Sequence, residues 1–234
     1  IAVVSVMPCT AKKFEAKRPE LSHNGLADVD VVITTRELAR MIKEAGIDFP
    51  NLPDEDFDSL LGESTGASVI FGATGGVMEA ALRTAYNMIT GKELEQVDLT
   101  AVRGVEGIKE ASVQVGDLTV NVAVANGTAN AAKLLAQVRS GEKQYHFIEV
   151  MGCPGGCVTG GGQPIVSAQK RMECDPRAVR AAALYREDAN KPLRRSHENP
   201  EIKALYADYL GAPNSHKAHE LLHTTYTARA KYSK

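Results

Sequence analysis

The segment from residue 151 to 164, MGCPGGCVTGGGQP, restricts the fold of this chain more than any other. It follows the apolar run Tyr145–Val150, which predicts a buried strand, and it holds Cys153 and Cys157 with three residues between them. Glycine adopts backbone angles that other residues avoid, and proline fixes one φ angle, so two thiols can come from one tight turn. Gly160–Gly162 have no side chains, which predicts that a bulky group can approach the backbone closely. The segment indicates a metal- or cofactor-binding turn rather than a glycine-rich turn with two incidental cysteines.

The composition argues against a disulfide framework, a nucleic-acid-binding surface and a membrane span. The chain has four cysteines among 234 residues, and 44% of its residues are hydrophobic. Such a chain can form a core without disulfides, so cysteines set among glycines favour metal chemistry in a reducing compartment. A formal net charge of −2 gives no basic surface for nucleic acid. No apolar run reaches the roughly 18–20 residues that cross a membrane, so we predict no membrane span.

Predicted strands and helices alternate along the chain, which indicates an α/β fold with mainly parallel strands. Continuous apolar runs predict the strands, and helical spacing predicts the helices. The predicted helix boundaries include a capping box of Thr34 and Glu37, a helix end at Gly91 and an N-cap at Asp175. The predicted strands are Ile1–Met7, Asp30–Ile33, Ser68–Phe71, Leu118–Ala125 and Tyr145–Val150, and the predicted helices span residues 37–45, 77–89, 128–138 and 176–189. A polar linker and a helical C-terminal tail follow.

Three of the predicted strands end in loops that hold chemically useful residues. Cys9, Gly72 and Cys153 each follow a strand, and sites in α/β folds lie at the carboxyl ends of strands, so these loops can meet in one crevice. Lys12 faces the same side as Cys9 if a helical turn begins there, and it could stabilise a negatively charged metal site. A core cysteine with a solvent-exposed lysine is the alternative. Residues 71–76, FGATGG, suit either a phosphate-binding loop or close packing of a helix on a strand.

Two other groups of potential ligands are set aside. Cys174 lies between a charged stretch and a predicted helix start, which favours a plain thiol. His216, His219 and His223 have helical spacing on one face, but no carboxylate or cysteine pattern accompanies them. We therefore expect a tail helix that packs or hydrogen-bonds through its histidines rather than a metal site.

These motifs resemble those of a known family. VMPCTAKKFE and VMGCPGGCVTGGGQP are similar to two of the three signature segments of the [FeFe] hydrogenases. FGATGGVMEAALR and the C-terminal HELLHTTYTARAKY are also similar to segments of that family, so the resemblance spans nearly the whole chain. It implies two lobes with mainly parallel sheets flanked by helices, an active site between the lobes, and a helical tail. It also implies the H-cluster, a [4Fe–4S] cluster bridged by a cysteine sulfur to a diiron subcluster with CO, cyanide and a bridging dithiolate.

The resemblance also implies roles for individual residues. Cys9, Cys153 and Cys157 match ligands of the [4Fe–4S] cluster, with Cys157 as the bridging thiolate. Lys12 matches a lysine that donates to a cyanide ligand, so Lys12 and Cys157 are the predicted catalytic residues. The residues that match the surroundings of the diiron subcluster are Met7, Pro8, Phe71, Gly72 and Met151.

The family's first cysteine segment has no counterpart in residues 1–234. We therefore expect residues 1–190 to be an H-cluster domain that is incomplete at its N-terminus, with the fourth cluster ligand and the proton-relay residues upstream. Residues 191–234 resemble a segment that some members carry as a separate small subunit. Its fusion to the catalytic part favours a cytoplasmic protein over an exported two-chain form.

The function that this resemblance implies is reversible oxidation of H2 to protons and electrons. The expected partners are ferredoxin or NADH-linked flavin and iron–sulfur subunits, together with maturation proteins that insert the diiron subcluster. The electron partner and the physiological direction stay open. Two alternatives are a hydrogen-sensing relative and an iron–sulfur assembly relative without turnover. The intact GGGQP, Lys12 and both methionines favour the enzyme over the assembly relative.

Overall fold

The computed structural model of this chain describes residues 1–58 and 61–229. It confirms the α/β class, with two small sheets that hold the site motifs and helices around them. In the first sheet, β1 (Val4–Met7) pairs in parallel with β4 (Val31–Thr34), and Met7 lies opposite Thr34. Between these strands the chain forms the short helix α1 (Lys12–Glu15) and the antiparallel ribbon of β2 (Ser22–His23) and β3 (Leu26–Ala27).

Helix α2 (Thr35–Glu44) begins directly after β4, and the predicted capping box is confirmed. The Thr34 hydroxyl accepts from the Glu37 backbone N–H at 3.2 Å, and the Thr34 N–H donates to the Glu37 carboxylate at 2.7 Å. A hydrogen bond from the Lys13 ammonium, followed by hydrogen bonds from Thr34, lowers the pKa of Glu37 to about 2. The cap therefore fixes the end of the strand that pairs with β1.

The predicted strand at Ser68–Phe71 is wrong, because this segment is helical. Helix α3 (Gly66–Val69) continues into a 3-10 turn at Ile70–Gly72. A short apolar run does not distinguish a buried strand from a buried helix, and tertiary packing decides between them. Here the backbone packs directly on a later helix, since a Cβ on Gly66 would lie 2.0 Å from the Asp188 carboxylate.

The second sheet has three strands in the order β5–β6–β7. Its strands are β5 (Ile108–Val115), β6 (Leu118–Asn126) and β7 (Phe147–Met151). β6 and β7 are parallel, whereas β5 and β6 are antiparallel. Strand β5 was not predicted, because its residues alternate between the two faces without forming an apolar run. The strand pairs that hold the site motifs, β1–β4 and β6–β7, are the parallel ones.

Helices cover both faces of this sheet. Helix α4 (Gly76–Thr90) ends at Gly91 as predicted, and helix α5 (Thr128–Arg139) lies on the other face. The core on the α4 face is formed by Met78, Leu82, Val102, Val122 and Val124. The core on the α5 face is formed by Ala123, Ala125, Ala131 and Leu134.

The C-terminal part is helical, as predicted. Helix α6 (Ala168–Glu173) was not predicted, whereas helix α7 (Pro176–Asn190) was, with Asp175 as its N-cap. The tail consists of α8 (Pro200–Leu205), which continues as a π turn, and α9 (His216–Leu222). Within residues 1–58 and 61–229, no helix is both long and apolar enough to cross a membrane.

A buried arginine–carboxylate cluster joins α4 to α7. Its members are Glu79, Arg83, Asp98, Arg103, Asp188 and Arg194. The side chains of Arg83, Glu79 and Asp188 are fully buried. The three carboxylates lie close enough to hold a metal ion, but the three arginines already balance their charge. We therefore assign this cluster a structural role, because a buried cation would leave excess positive charge.

Candidate metal centre

The loop that holds Cys9 packs against the glycine-rich segment after Cys157. The Gly162 N–H donates to the Pro8 carbonyl at 2.9 Å, which joins the end of β1 to the segment after β7. A Cβ on Gly160 would lie 2.0 Å from the same carbonyl oxygen. The absence of a side chain at Gly160 thus allows two protein loops to meet, which differs from the predicted approach of a cofactor to this glycine.

The turn that holds Cys153 and Cys157 is fixed from its other side by residues 71–76. The Thr74 N–H donates to the Gly155 carbonyl at 3.1 Å. Gly156 has a φ of +94°, and a Cβ there would lie 2.7 Å from the Thr74 nitrogen. Glycine is therefore required at residue 156 by both backbone angle and space. Three loops meet here, although one of them follows a 3-10 turn rather than the predicted strand.

Cys9, Cys153 and Lys12 all lie within electrostatic range of the Cys157 thiol. Burial raises the pKa of Cys157, the charges of Cys9 and Cys153 raise it further, and Lys12 lowers it. Cys153 is exposed, whereas Cys9 and Cys157 are half-buried, and all are free thiols. The structure thus brings together four of the predicted site residues. A cation bound beside Cys157 would offset the effect of burial and of its two neighbours and favour its thiolate form.

The remaining predicted site residues occupy varied positions. The Lys12 ammonium forms an ion pair with Glu15, and both side chains are about two-fifths exposed. Met7 and Met151 lie half-buried at the ends of β1 and β7. Phe71 is 45% exposed. A Cβ on Gly72 would lie 2.7 Å from a methyl group of Leu184, so this glycine allows α7 to pack closely.

Three buried polar residues beside the site were not predicted. Lys109, Asn126 and Glu149 lie on β5, β6 and β7, and each hydrogen-bonds to a loop near the cysteines. A charged residue inside an apolar strand, as in FIEVM, is the signal that would have identified Glu149. Burial of such a charge requires a specific partner.

The residues that the sequence analysis set aside lie elsewhere. The Cys174 Sγ lies 3.5 Å from the Lys170 carbonyl at the end of α6. His219 and His223 contact each other with their rings edge to face, and His216 lies 3.9 Å from Glu220. In the part of the chain that the structure describes, the candidate site for a single metal ion contains carboxylates, and neither these histidines nor the three site cysteines belong to it.

Comparison with known proteins gives two family matches. Residues 1–161 match the iron only hydrogenase large subunit, C-terminal domain, and residues 174–229 match the iron hydrogenase small subunit. An α/β fold together with these family matches indicates the class of iron–sulfur proteins. The chain belongs to the iron-only hydrogenase family.

Individual relatives agree with this assignment. The NADP-reducing hydrogenase subunit HndD of Solidesulfovibrio fructosivorans is 55% identical over 231 residues, which cover 99% of this chain and 39% of that protein. Iron hydrogenase 1 of Clostridium pasteurianum is 51% identical over 226 residues, which cover 97% of this chain and 39% of that protein. A solved structure of the [FeFe]-hydrogenase HydA1 from Chlamydomonas reinhardtii has a TM-score of 0.77 and 44% identity, covering 97% of this chain and 63% of that one. The chain thus spans about two-fifths of the length of these curated relatives.

More distant relatives include the cytosolic iron–sulfur assembly component 3 of Pongo abelii. It is 32% identical over 235 residues, which cover 98% of this chain and 48% of that protein. The identity to the hydrogenases is therefore well above the identity to this assembly protein.

Proposed function

We propose that this chain forms most of the H-cluster site of an enzyme that catalyses reversible oxidation of H2. The observation that carries the proposal is the presence of Cys9, Cys153 and Lys12 within electrostatic range of Cys157, where three loops meet. The identities of 55% and 51% to proteins named as hydrogenases support it. The cofactor implied by the family is an iron–sulfur cluster.

The donor set of this site fits a [4Fe–4S] cluster. Thiolates are the ligands that such clusters require, and burial together with two neighbouring thiols opposes the ionisation of Cys157 unless positive charge is nearby. Iron supplies that charge. Cys9, Cys153 and Cys157 would supply three of the four ligands that such a cluster needs.

The bound cofactor would supply the redox chemistry of hydrogen, and the residues of this chain would hold and shield it. Cys157 would bridge the [4Fe–4S] cluster and the diiron subcluster with its CO, cyanide and dithiolate ligands. Lys12 would exchange its ion pair with Glu15 for an anionic ligand of the cofactor, since its ammonium is a mobile donor. The residues that would orient this subcluster and exclude water are Met7, Pro8, Phe71, Gly72 and Met151.

The proposal extends to partners and organisation. The substrates are H2 and protons, and maturation proteins insert the diiron subcluster. A relative named as an NADP-reducing hydrogenase subunit supports a nicotinamide-linked electron partner, with ferredoxin as the other candidate. We assign residues 1–190 to the H-cluster domain and residues 191–234 to a small-subunit-like segment, in a cytoplasmic protein. The match to the small-subunit family begins earlier, at residue 174, so α7 belongs to both descriptions.

The test is infrared spectroscopy of the complete, anaerobically matured protein, combined with H2 uptake using a dye acceptor. Sharp CO and cyanide bands with turnover are the expected result. Bands without turnover would favour a hydrogen sensor. A [4Fe–4S] signal without such bands would overturn the proposal and favour the assembly function suggested by the relative at 32% identity.

A further inference from the structure

Glu149 fixes the start of helix α4 beside the cysteine turn. Its side chain is 5% exposed, and its two carboxylate oxygens accept from the Gly75 and Met78 N–H groups, each at 2.7 Å. These N–H groups belong to the first turn of α4, where the helix dipole favours an anion. Glu149 lies on β7, four residues before Cys153. One carboxylate thus connects the strand that leads to two cysteines with the loop that precedes α4.

Lys109 holds the same loop from β5. Its side chain is 8% exposed, and its ammonium donates to the Thr74 carbonyl at 2.9 Å and to the Gly104 carbonyl at 3.0 Å. The Thr74 N–H in turn donates to Gly155, inside the cysteine turn. Lys109 therefore acts on the cysteine turn through a single residue, Thr74.

Asn126 holds the cysteine turn directly from the end of β6. It is 2% exposed, and its side-chain carbonyl accepts from the Gly155 N–H at 2.9 Å. Its amide group donates to the Glu106 carbonyl at 2.5 Å. Asn126 lies opposite Met151, where β7 ends and the cysteine turn begins.

The three side chains lie on one face of the sheet. Val124 is the register partner of both Lys109 and Glu149, and residues opposite one another in a sheet share a face. Asn126 is two residues beyond Val124 and shares that face as well. Val124 belongs to the core cluster that also holds Met78, so this face is turned toward α4.

We propose that Lys109, Asn126 and Glu149 are positioning residues that fix the loop 71–76 and the cysteine turn relative to each other, and thereby set the environment of the cluster. This inference rests on the proposed cluster site. The reduction potential of an iron–sulfur cluster depends on hydrogen bonds to its sulfurs and on solvent exposure. A turn that loses its support exposes amide groups and admits water, so the potential becomes less negative.

The test compares Asn126→Ala with Asn121→Ala in the complete protein that carries this chain. Asn121 lies on the same strand, and its side chain hydrogen-bonds to Ser112 away from the cysteines. In the metal-free protein, Asn126→Ala should increase hydrogen exchange at the Gly155 amide by about tenfold or more, the loss expected for one buried hydrogen bond. In the reconstituted protein, it should shift the [4Fe–4S] midpoint potential to less negative values and change the EPR g values. Asn121→Ala should leave exchange, potential and g values unchanged.

Glu149→Gln provides a second variant if Asn126→Ala does not fold. It keeps one acceptor oxygen and should increase exchange at Gly75 and Met78, with the same direction of shift in potential. Unchanged potential and g values, with faster exchange, would show a purely structural role and overturn the inference. Absence of any [4Fe–4S] signal in the unsubstituted protein would instead overturn the proposed function, because the exchange experiment needs no metal.

Discussion

Asp188→Asn tests how strongly the arginine–carboxylate cluster holds the C-terminal helices in place. Asp188 is fully buried and accepts from both terminal nitrogens of Arg83, at 2.9 and 2.8 Å, and from Arg194 at 2.6 Å. Asparagine keeps the shape but removes the charge, and it directs an amide group at a guanidinium. Breaking a buried ion pair by removing one partner costs about 3–5 kcal/mol. We expect the free energy of unfolding to fall by an amount near the lower limit of this range, because the Glu79 carboxylate still accepts a hydrogen bond from Arg83.

The loss is measured by hydrogen exchange of the peptides that cover residues 76–90 and 176–190 in the complete protein. A loss of roughly 3 kcal/mol corresponds to about hundredfold faster exchange where opening of these helices limits it. Glu187→Gln is the matched control, because Glu187 neighbours Asp188 but is exposed and lies 3.6 Å from Lys191. An exposed pair contributes about 0–1 kcal/mol. Equal exchange in the two variants would refute the reasoning.

Acid should have a similar effect on the cluster. Burial by itself would raise the pKa of Asp188, but hydrogen bonds from Arg83 and Arg194 outweigh it and hold that pKa below its ordinary value. A carboxylate with a lowered pKa contributes stability that is present above about pH 4, the pKa of an unfolded aspartate, and is lost as the pH falls. The protection of residues 176–190 against hydrogen exchange should therefore fall in acid. It should fall less in the Asp188→Asn variant than in the unsubstituted protein.

Three further predictions concern the site. Gly160→Ala places a methyl group against the Pro8 carbonyl and should abolish cluster binding, measured as iron content. The control Gly152→Ala places its methyl group in open space and should bind iron normally. Burial lowers the pKa of Lys109 to about 8, so the free energy of unfolding should rise between about pH 8 and pH 10, as the folded protein releases this proton first. A Lys109→Met variant should lack this rise in urea titrations. Lys12→Ala should shift the cyanide infrared bands and reduce H2 uptake by about tenfold or more, the effect of one charge-assisted hydrogen bond, whereas Glu15→Gln should preserve both. Loss of iron in Gly152→Ala, a retained rise in Lys109→Met, or unchanged bands in Lys12→Ala would contradict the respective prediction.

The strand and helix pattern of the sequence was sufficient to predict much of the fold. The capping box at Thr34, the end of α4 at Gly91 and the start of α7 at Asp175 depend on local chemistry, so they could be read from neighbouring residues. The helical turn at residues 66–72 could not, because its conformation depends on packing against Asp188, more than 100 positions away. Strand β5 was missed because its alternation lacks an apolar run.

The candidate site also combines residues that could be predicted from neighbouring sequence with residues whose role depends on distant contacts. Cys153 and Cys157 were identified by their spacing within one turn, and Cys9 by its place after a strand. Lys109 and Asn126 gave no such signal, because their partners are backbone groups of distant loops. The glycines after Cys157 were predicted to admit a cofactor, but Gly160 serves contact between two loops. Sequence alone does not show which surface a missing side chain faces.

The arginine–carboxylate cluster also lies across the division between the two family matches. Glu79, Arg83, Asp98 and Arg103 fall in the part that matches the large subunit, while Asp188 and Arg194 fall in the part that matches the small subunit. Each part contributes as many arginines as carboxylates. A break in the chain between residues 161 and 174 would therefore turn the same hydrogen bonds into a subunit interface in which neither partner has excess charge. The intact connection keeps the two halves at high effective concentration, so their association does not depend on the amount of protein.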